Sequence, residues 1–302
     1  MKRKVIKLGS STLVTSLPSK WTKKLNIKPG DELEVTEQEA NLILSTRETK
    51  KEQKEKKIDV SNWGTKDVKL MLVHVYRKGF DKITILGCDD EMINFIRKTA
   101  SDTLLGFEVS ETGEGNCILE NLAEPSKNKD DVIINRVFLI IKEMQKALYL
   151  DFSEGNYRPE NMTSLLNQAD KFILFSKRNN MKQLSSDAII RWELMSFLLN
   201  ISHNYYYLYD YSAKNKIKFN KNSLKIMKAL GEYFDLYHSA YLKKDMRLIH
   251  KMDKFASMYQ FGVCLKQTEK NGKVSVAVGL AREILRWTQV ARSPIISLIL
   301  EK

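Results

Sequence analysis

Ahead of Asp31 the chain carries Lys2, Arg3, Lys4, Lys7, Lys20, Lys23, Lys24 and Lys28, and not one aspartate or glutamate. Such a cluster neutralises phosphates and releases their counterions, which gives a strongly salt-dependent affinity for a polyanion. Arg3 adds a guanidinium that can fork onto a guanine edge, which an ammonium does less well. Ser10, Ser11 and Thr12 contribute hydroxyl and backbone N–H donors suited to phosphate oxygens. A solvated basic face is the plainer account of charge alone. The net charge of +13 leaves that choice open.

Other chemistry is sparsely represented. Cys88, Cys117 and Cys264 are far apart in sequence and form no Cys-x-x-Cys pair, so reduced thiols are expected rather than a zinc site or disulfides. No Gly-x-Ser-x-Gly elbow, P-loop or His-Glu-x-x-His motif occurs. Around Gly87-Cys88-Asp89-Asp90 nothing supplies the neighbours a nucleophile needs. The expectation is a protein that is not an enzyme and has no cofactor. Consecutive tyrosines such as Tyr205-Tyr206-Tyr207, with Tyr209 and Tyr211, point all round a helix and suit core packing or a dimer contact better than base stacking.

The elements that must position the basic cluster are short strands. Lys4-Val5-Ile6-Lys7-Leu8 alternates with period two, Gly9-Ser10-Ser11 marks a turn, and residues 12–17 alternate again. Pro18 opens a short helix through Trp21 to about Leu25. Gly30-Asp31 turns the chain into a third strand over 32–36, and a polar turn over 37–41 leads to a fourth over 42–45. So short a segment buries little by itself, which predicts a dimer. Residues 47–57 read as a charged linker without an apolar residue. Residues 58–123 alternate strand and helix: a helix over 65–78 spaced on Val68, Leu72, Val75 and Tyr76 and capped by Gly79, a buried strand over 82–86, a helix over 90–105 and a hairpin across residues 111–116. From 124 onward the spacing is helical: 130–152, 159–177, 186–212, 222–243, 245–267 and 275–300 make two successive sets of three.

The ordered set Arg3 to Thr12, Leu17-Pro18 with Trp21 and Leu25, and Asn26-Ile27-Lys28-Pro29-Gly30-Asp31-Glu32-Leu33-Glu34-Val35 resembles the AbrB/MazE (SpoVT-AbrB) swapped-hairpin family. The resemblance implies an intertwined homodimer with a small β-barrel head that binds double-stranded DNA. Carried over by position, it implicates Arg3, Lys4, Lys7 and the turn Gly9, Ser10, Ser11 and Thr12, with Lys20, Lys23 and Lys24 of the short helix beside them. Ala281-Arg282-Glu283-Ile284-Leu285-Arg286-Trp287 and Ile190-Arg191-Trp192-Glu193-Leu194 are similar to helices of PhoU domains. An AbrB-like head on a PhoU-like body is the arrangement of archaeal phosphate-uptake regulators.

PhoU domains hold metal on carboxylates one helical turn apart. Here Leu199-Asn200-Ile201-Ser202-His203 stands in their place, so no metal is expected. Asp170, Glu232, Asp235, Asp245 and Asp253, with His238 and His250, are the residual candidates.

These readings combine into a multidomain α+β protein: an AbrB-like head over 1–46, a linker over 47–57, a small α/β domain over 58–123, and a PhoU-like body of paired three-helix bundles over 124–302. The expected function is a cytoplasmic, homodimeric, DNA-binding transcription regulator of phosphate homeostasis, with a phosphate-transport or sensor protein as partner. The alternative is a phosphate-signalling adaptor acting by protein contacts, with only non-specific DNA binding. Apolar runs fall well short of the ~20 residues needed to span a bilayer, and the basic N-terminus lacks the apolar stretch of a secretory signal.

Overall fold

The computed structural model describes residues 2–38, 41–46, 53–113, 115–122, 130–182, 186–269 and 272–300. The chain divides into two compact units, Met1–Gln53 and Lys54–Lys302. The expected linker positions 47–52 and the boundary at 124 lie outside the described residues.

In the first unit β1 (Val5–Leu8) pairs antiparallel with β2 (Thr12–Thr15), and β3 (Leu33–Gln38) with β4 (Asn41–Thr46). Between the hairpins lies α1 (Ser19–Lys24), with Pro18 at its N-cap. Asn26 and Gly30 take positive φ, and the Asp31 carboxylate accepts from the Lys28 N–H at 2.6 Å, which ties the turn ahead of β3. The described strands of this single chain form two separate two-stranded sheets, and no closed barrel is found among them. Four short strands cannot close on themselves, because closure needs more strands tilted in a matching stagger.

The second unit opens with β5 (Glu55–Asp59), followed by α2 (Thr65–Arg77), β6 (Lys82–Leu86), α3 (Asp90–Thr103), β7 (Phe107–Gly113) and β8 (Asn116–Asn121). The sheet order is β5-β6-β8-β7, parallel only at β5–β6, where α2 makes the crossover. β5 takes in residues 55–57, which the sequence reads as linker. Its charged side chains carry no apolar alternation, and the backbone ladder to β6 alone makes it a strand. In α2 the buried side chains are Val68, Leu72, Val75 and Tyr76, the expected set. Gly79, at φ 83°, donates to the Tyr76 carbonyl and ends the helix.

The helical part comprises α4 (Asp130–Glu154), α5 (Pro159–Lys182), α6 (Ser186–Lys214), α7 (Lys221–Lys243), α8 (Met246–Met258), α9 (Cys264–Thr268), α10 (Lys273–Val290) and α11 (Arg292–Leu300). α4, α5 and α6 pack on one another, as do α7, α8 and α10, and one apolar core runs through both sets. The single helix expected over 275–300 breaks at Ala291, because the Pro294 ring would clash with the Val290 carbonyl of a continuous helix. The one expected over 245–267 holds a π-helical turn, Tyr259–Val263. The α/β segment does not stand apart: Ile133 of α4 and Leu174 and Phe175 of α5 complete its core with Ile83, Ile85, Phe107 and Leu119. No helix among the described residues is long and apolar enough to cross a membrane.

Candidate nucleic-acid interface

In the first hairpin Lys7 stands opposite Leu13, and Ile6 opposite Val14. The period of two therefore puts Ile6, Leu8 and Val14 on one face and Val5, Lys7 and Leu13 on the other. Gly9 takes φ 70° at the turn, a conformation that favours glycine, and exposes Ser10 and Ser11 at the tip. Arg3 and Lys4 precede β1 and are exposed. Lys20, Lys23 and Lys24 stand at i, i+3 and i+4 of α1, so they share one exposed helical face. None of these basic side chains, nor the hydroxyls of Ser10, Ser11 and Thr12, has a hydrogen-bond or ion-pair partner among the described residues. They are presented to solvent as unneutralised donors.

The apolar side chains of this unit are exposed as well. Ile6 is 61% exposed, Leu13 70% and Leu42 67%, and none of the unit's described residues is buried. Faces of this kind are rare on a stable monomer and mark an interaction surface.

The other candidate chemistries are accounted for by local partners. Asp170 pairs with His203, Asp235 with Lys142, Glu232 with Lys228, Asp245 with Arg247 and Asp253 with Arg292. No group of three or more metal-ligating side chains occurs among the described residues. All three cysteines are buried and free. Cys88 and Cys117, distant in sequence, meet in the α/β core, and burial pushes the Cys117 thiol up to about 12. Tyr205 and Tyr209 are core residues while Tyr207 is exposed, the all-round distribution expected of the stripe.

A constellation that sequence reasoning missed is Asp151, buried in α4, which accepts from the Arg158 guanidinium and backbone N–H and from the Tyr209 hydroxyl. Its spacing over 58 residues leaves no local signal.

Two histidines titrate with opposite sign. His238 stacks on Phe138 at 4.6 Å with Nε2 2.8 Å from Asn135 Oδ1. Burial, then Lys142, pushes its imidazole down to about 4. The unfolded chain therefore takes up a proton that the fold refuses, so this group lowers stability as pH falls from about 6.5 toward 4. His203 is raised by its hydrogen bond to Asp170, so its contribution is full below the unfolded value and is lost as pH rises through the folded one. In an NMR titration at pH 5.5, His203 is expected to be mostly protonated and His238 neutral. A His238 midpoint near 6.5 would contradict the packing described.

Residues 6–56 match the family model described as antidote-toxin recognition MazE, bacterial antitoxin. No curated protein and no solved structure matches the chain. The segment holding the basic hairpin and α1 is thus similar to MazE-type domains, and the chain is a multidomain α+β protein with that segment at one end and a helical body after it.

Proposed function

We propose that this protein is a homodimeric, sequence-specific transcription regulator that binds double-stranded DNA through Arg3, Lys4, Lys7, the Gly9-Ser10-Ser11-Thr12 turn and Lys20, Lys23 and Lys24. The observation that carries the reading is a cluster of exposed basic side chains with no acidic partner, on hairpins whose apolar faces are also open. A second copy covering Ile6, Leu8 and Val14 would complete the β-structure and bring two basic clusters onto one duplex. In this reading residues 1–46 bind DNA, the α/β segment connects, and a PhoU-like body over 124–302 senses a signal or docks a phosphate-transport or sensor protein. Phosphate uptake is the regulated process, the setting is cytoplasmic, and no catalysis is involved.

Fluorescence anisotropy on the chain's own upstream DNA and on a scrambled duplex, across a salt series, tests this. Preference for the native duplex is expected, with a slope corresponding to roughly 4–8 neutralised phosphates per dimer. Arg3→Ala and Lys7→Ala should each weaken binding several-fold and flatten the slope. Unchanged affinity and slope in both variants would overturn the site assignment. Equal binding to both duplexes, vanishing with salt, would favour the adaptor. The family match also supports a toxin-neutralising antitoxin, which predicts a stable complex with a cognate toxin.

A further inference from the structure

A basic cluster in the second unit has no role in the DNA reading. Lys177 of α5 is only 4% exposed, yet its ammonium has no hydrogen-bond or ion-pair partner among the described residues. Its Nζ lies 5.2 Å from the centroid of the Trp192 indole on α6. The Arg77 guanidinium, at the end of α2, lies 5.9 Å from the same centroid. Arg77 contacts His74 Nδ1 at 2.8 Å and likewise pairs with no carboxylate among the described residues. Cations from α2 and α5 thus meet one ring on α6, with the His74 imidazole against Arg77, and neither cation pairs with a carboxylate among the described residues.

The next residue along α5 shows what the fold does elsewhere. Arg178 is also buried, but it pairs with the Asp81 carboxylate, which it shares with Lys182. Lys177 receives no such carboxylate among the described residues. Cation–π contact with Trp192 attracts the ammonium, but it satisfies none of its three N–H donors and leaves the repulsion from Arg77 in place. Burial and that repulsion push the lysine down to about 8. Burial, Arg77 and Lys78 also hold His74 below the usual imidazole range.

We propose that Lys177, Arg77 and His74, beside Trp192, form a binding site for a small phosphate-type oxyanion. A guanidinium fork and a mobile ammonium are the pair suited to a tetrahedral, multiply charged anion, which neutralises both cations at once. A monocarboxylate would leave one of them uncompensated. The site does not depend on the DNA-binding reading, because it lies in a different compact unit.

Isothermal titration calorimetry and thermal melting of the full-length chain test it, with inorganic phosphate, sulfate and glycerol phosphate titrated at constant ionic strength. Saturable heat and a rise in melting temperature are expected. A stronger response to glycerol phosphate assigns the anion to a phosphorylated metabolite, and a stronger response to phosphate assigns it to the free ion. Lys177→Met and Arg77→Gln should each weaken binding at least tenfold. Without ligand, Lys177→Met should melt no lower than the parent, because it removes an uncompensated buried cation while keeping the volume. No saturable response to any of the three anions overturns the proposal. So does an undiminished response in both variants.

Discussion

Arg178→Ala is expected to lower the stability of the second unit by about 3 kcal/mol, or roughly 6–10 °C in melting temperature. Arg178 is 3% exposed and donates to the Tyr76 carbonyl at 3.0 Å, to the Phe80 carbonyl and to Asp81. Its guanidinium also lies 4.8 Å from the Phe107 ring centroid. One side chain therefore joins α2, the start of β6 and the β7 aromatic to α5. Burial pushes the Asp81 carboxyl up, but Lys182, the Lys54 N–H and Arg178 outweigh it and hold it below the usual carboxylate range. Truncation leaves Asp81 with Lys182, which keeps the loss at the low end for a broken buried pair. The carbonyls and the vacated volume supply most of it. Equilibrium urea unfolding of parent and variant measures the difference. A loss under 1 kcal/mol would mean that the Arg178 bonds contribute little to holding the α/β segment to the helices.

Gly87→Ala should cost about 3 kcal/mol for a different reason. Gly87 follows β6 at φ 72°, where a side chain adds roughly 1–2 kcal/mol of strain. A Cβ there would also lie 2.1 Å from Ser61 Oγ and 2.8 Å from the Ser61 Cα and N. The Ser61 backbone cannot easily retreat, because its N–H is held by Asp59 Oδ1 at 2.9 Å. Overpacking of this kind adds roughly 1–3 kcal/mol. Ser61→Gly combined with Gly87→Ala should recover part of the loss, since the 2.1 Å contact disappears while the backbone clash stays. Equal stability of the single variant and the parent in thermal melting would contradict the close approach.

The parts of the fold written in local pattern were legible. The apolar spacing of α2 predicted its buried residues, and Gly79 its end. Gly30 and Asp31 marked the turn before β3, because only a short list of side chains suits that backbone. The basic hairpin was legible for the same reason: charge and turn chemistry are properties of neighbouring residues. β5 was not, since its residues carry no apolar alternation and its strand conformation comes from a partner far along the chain. Nor was the π-helical turn inside the expected helix over 245–267.

The amino-acid order by itself determined where helices and strands could form, that the first unit would be basic, and that so small a β-segment would leave its apolar side chains uncovered. Only the tertiary structure decided which buried charges are neutralised. Lys177 and Arg178 are adjacent and alike in sequence, but successive residues on a helix point about 100° apart. One therefore meets Asp81, and the other meets an indole and another cation.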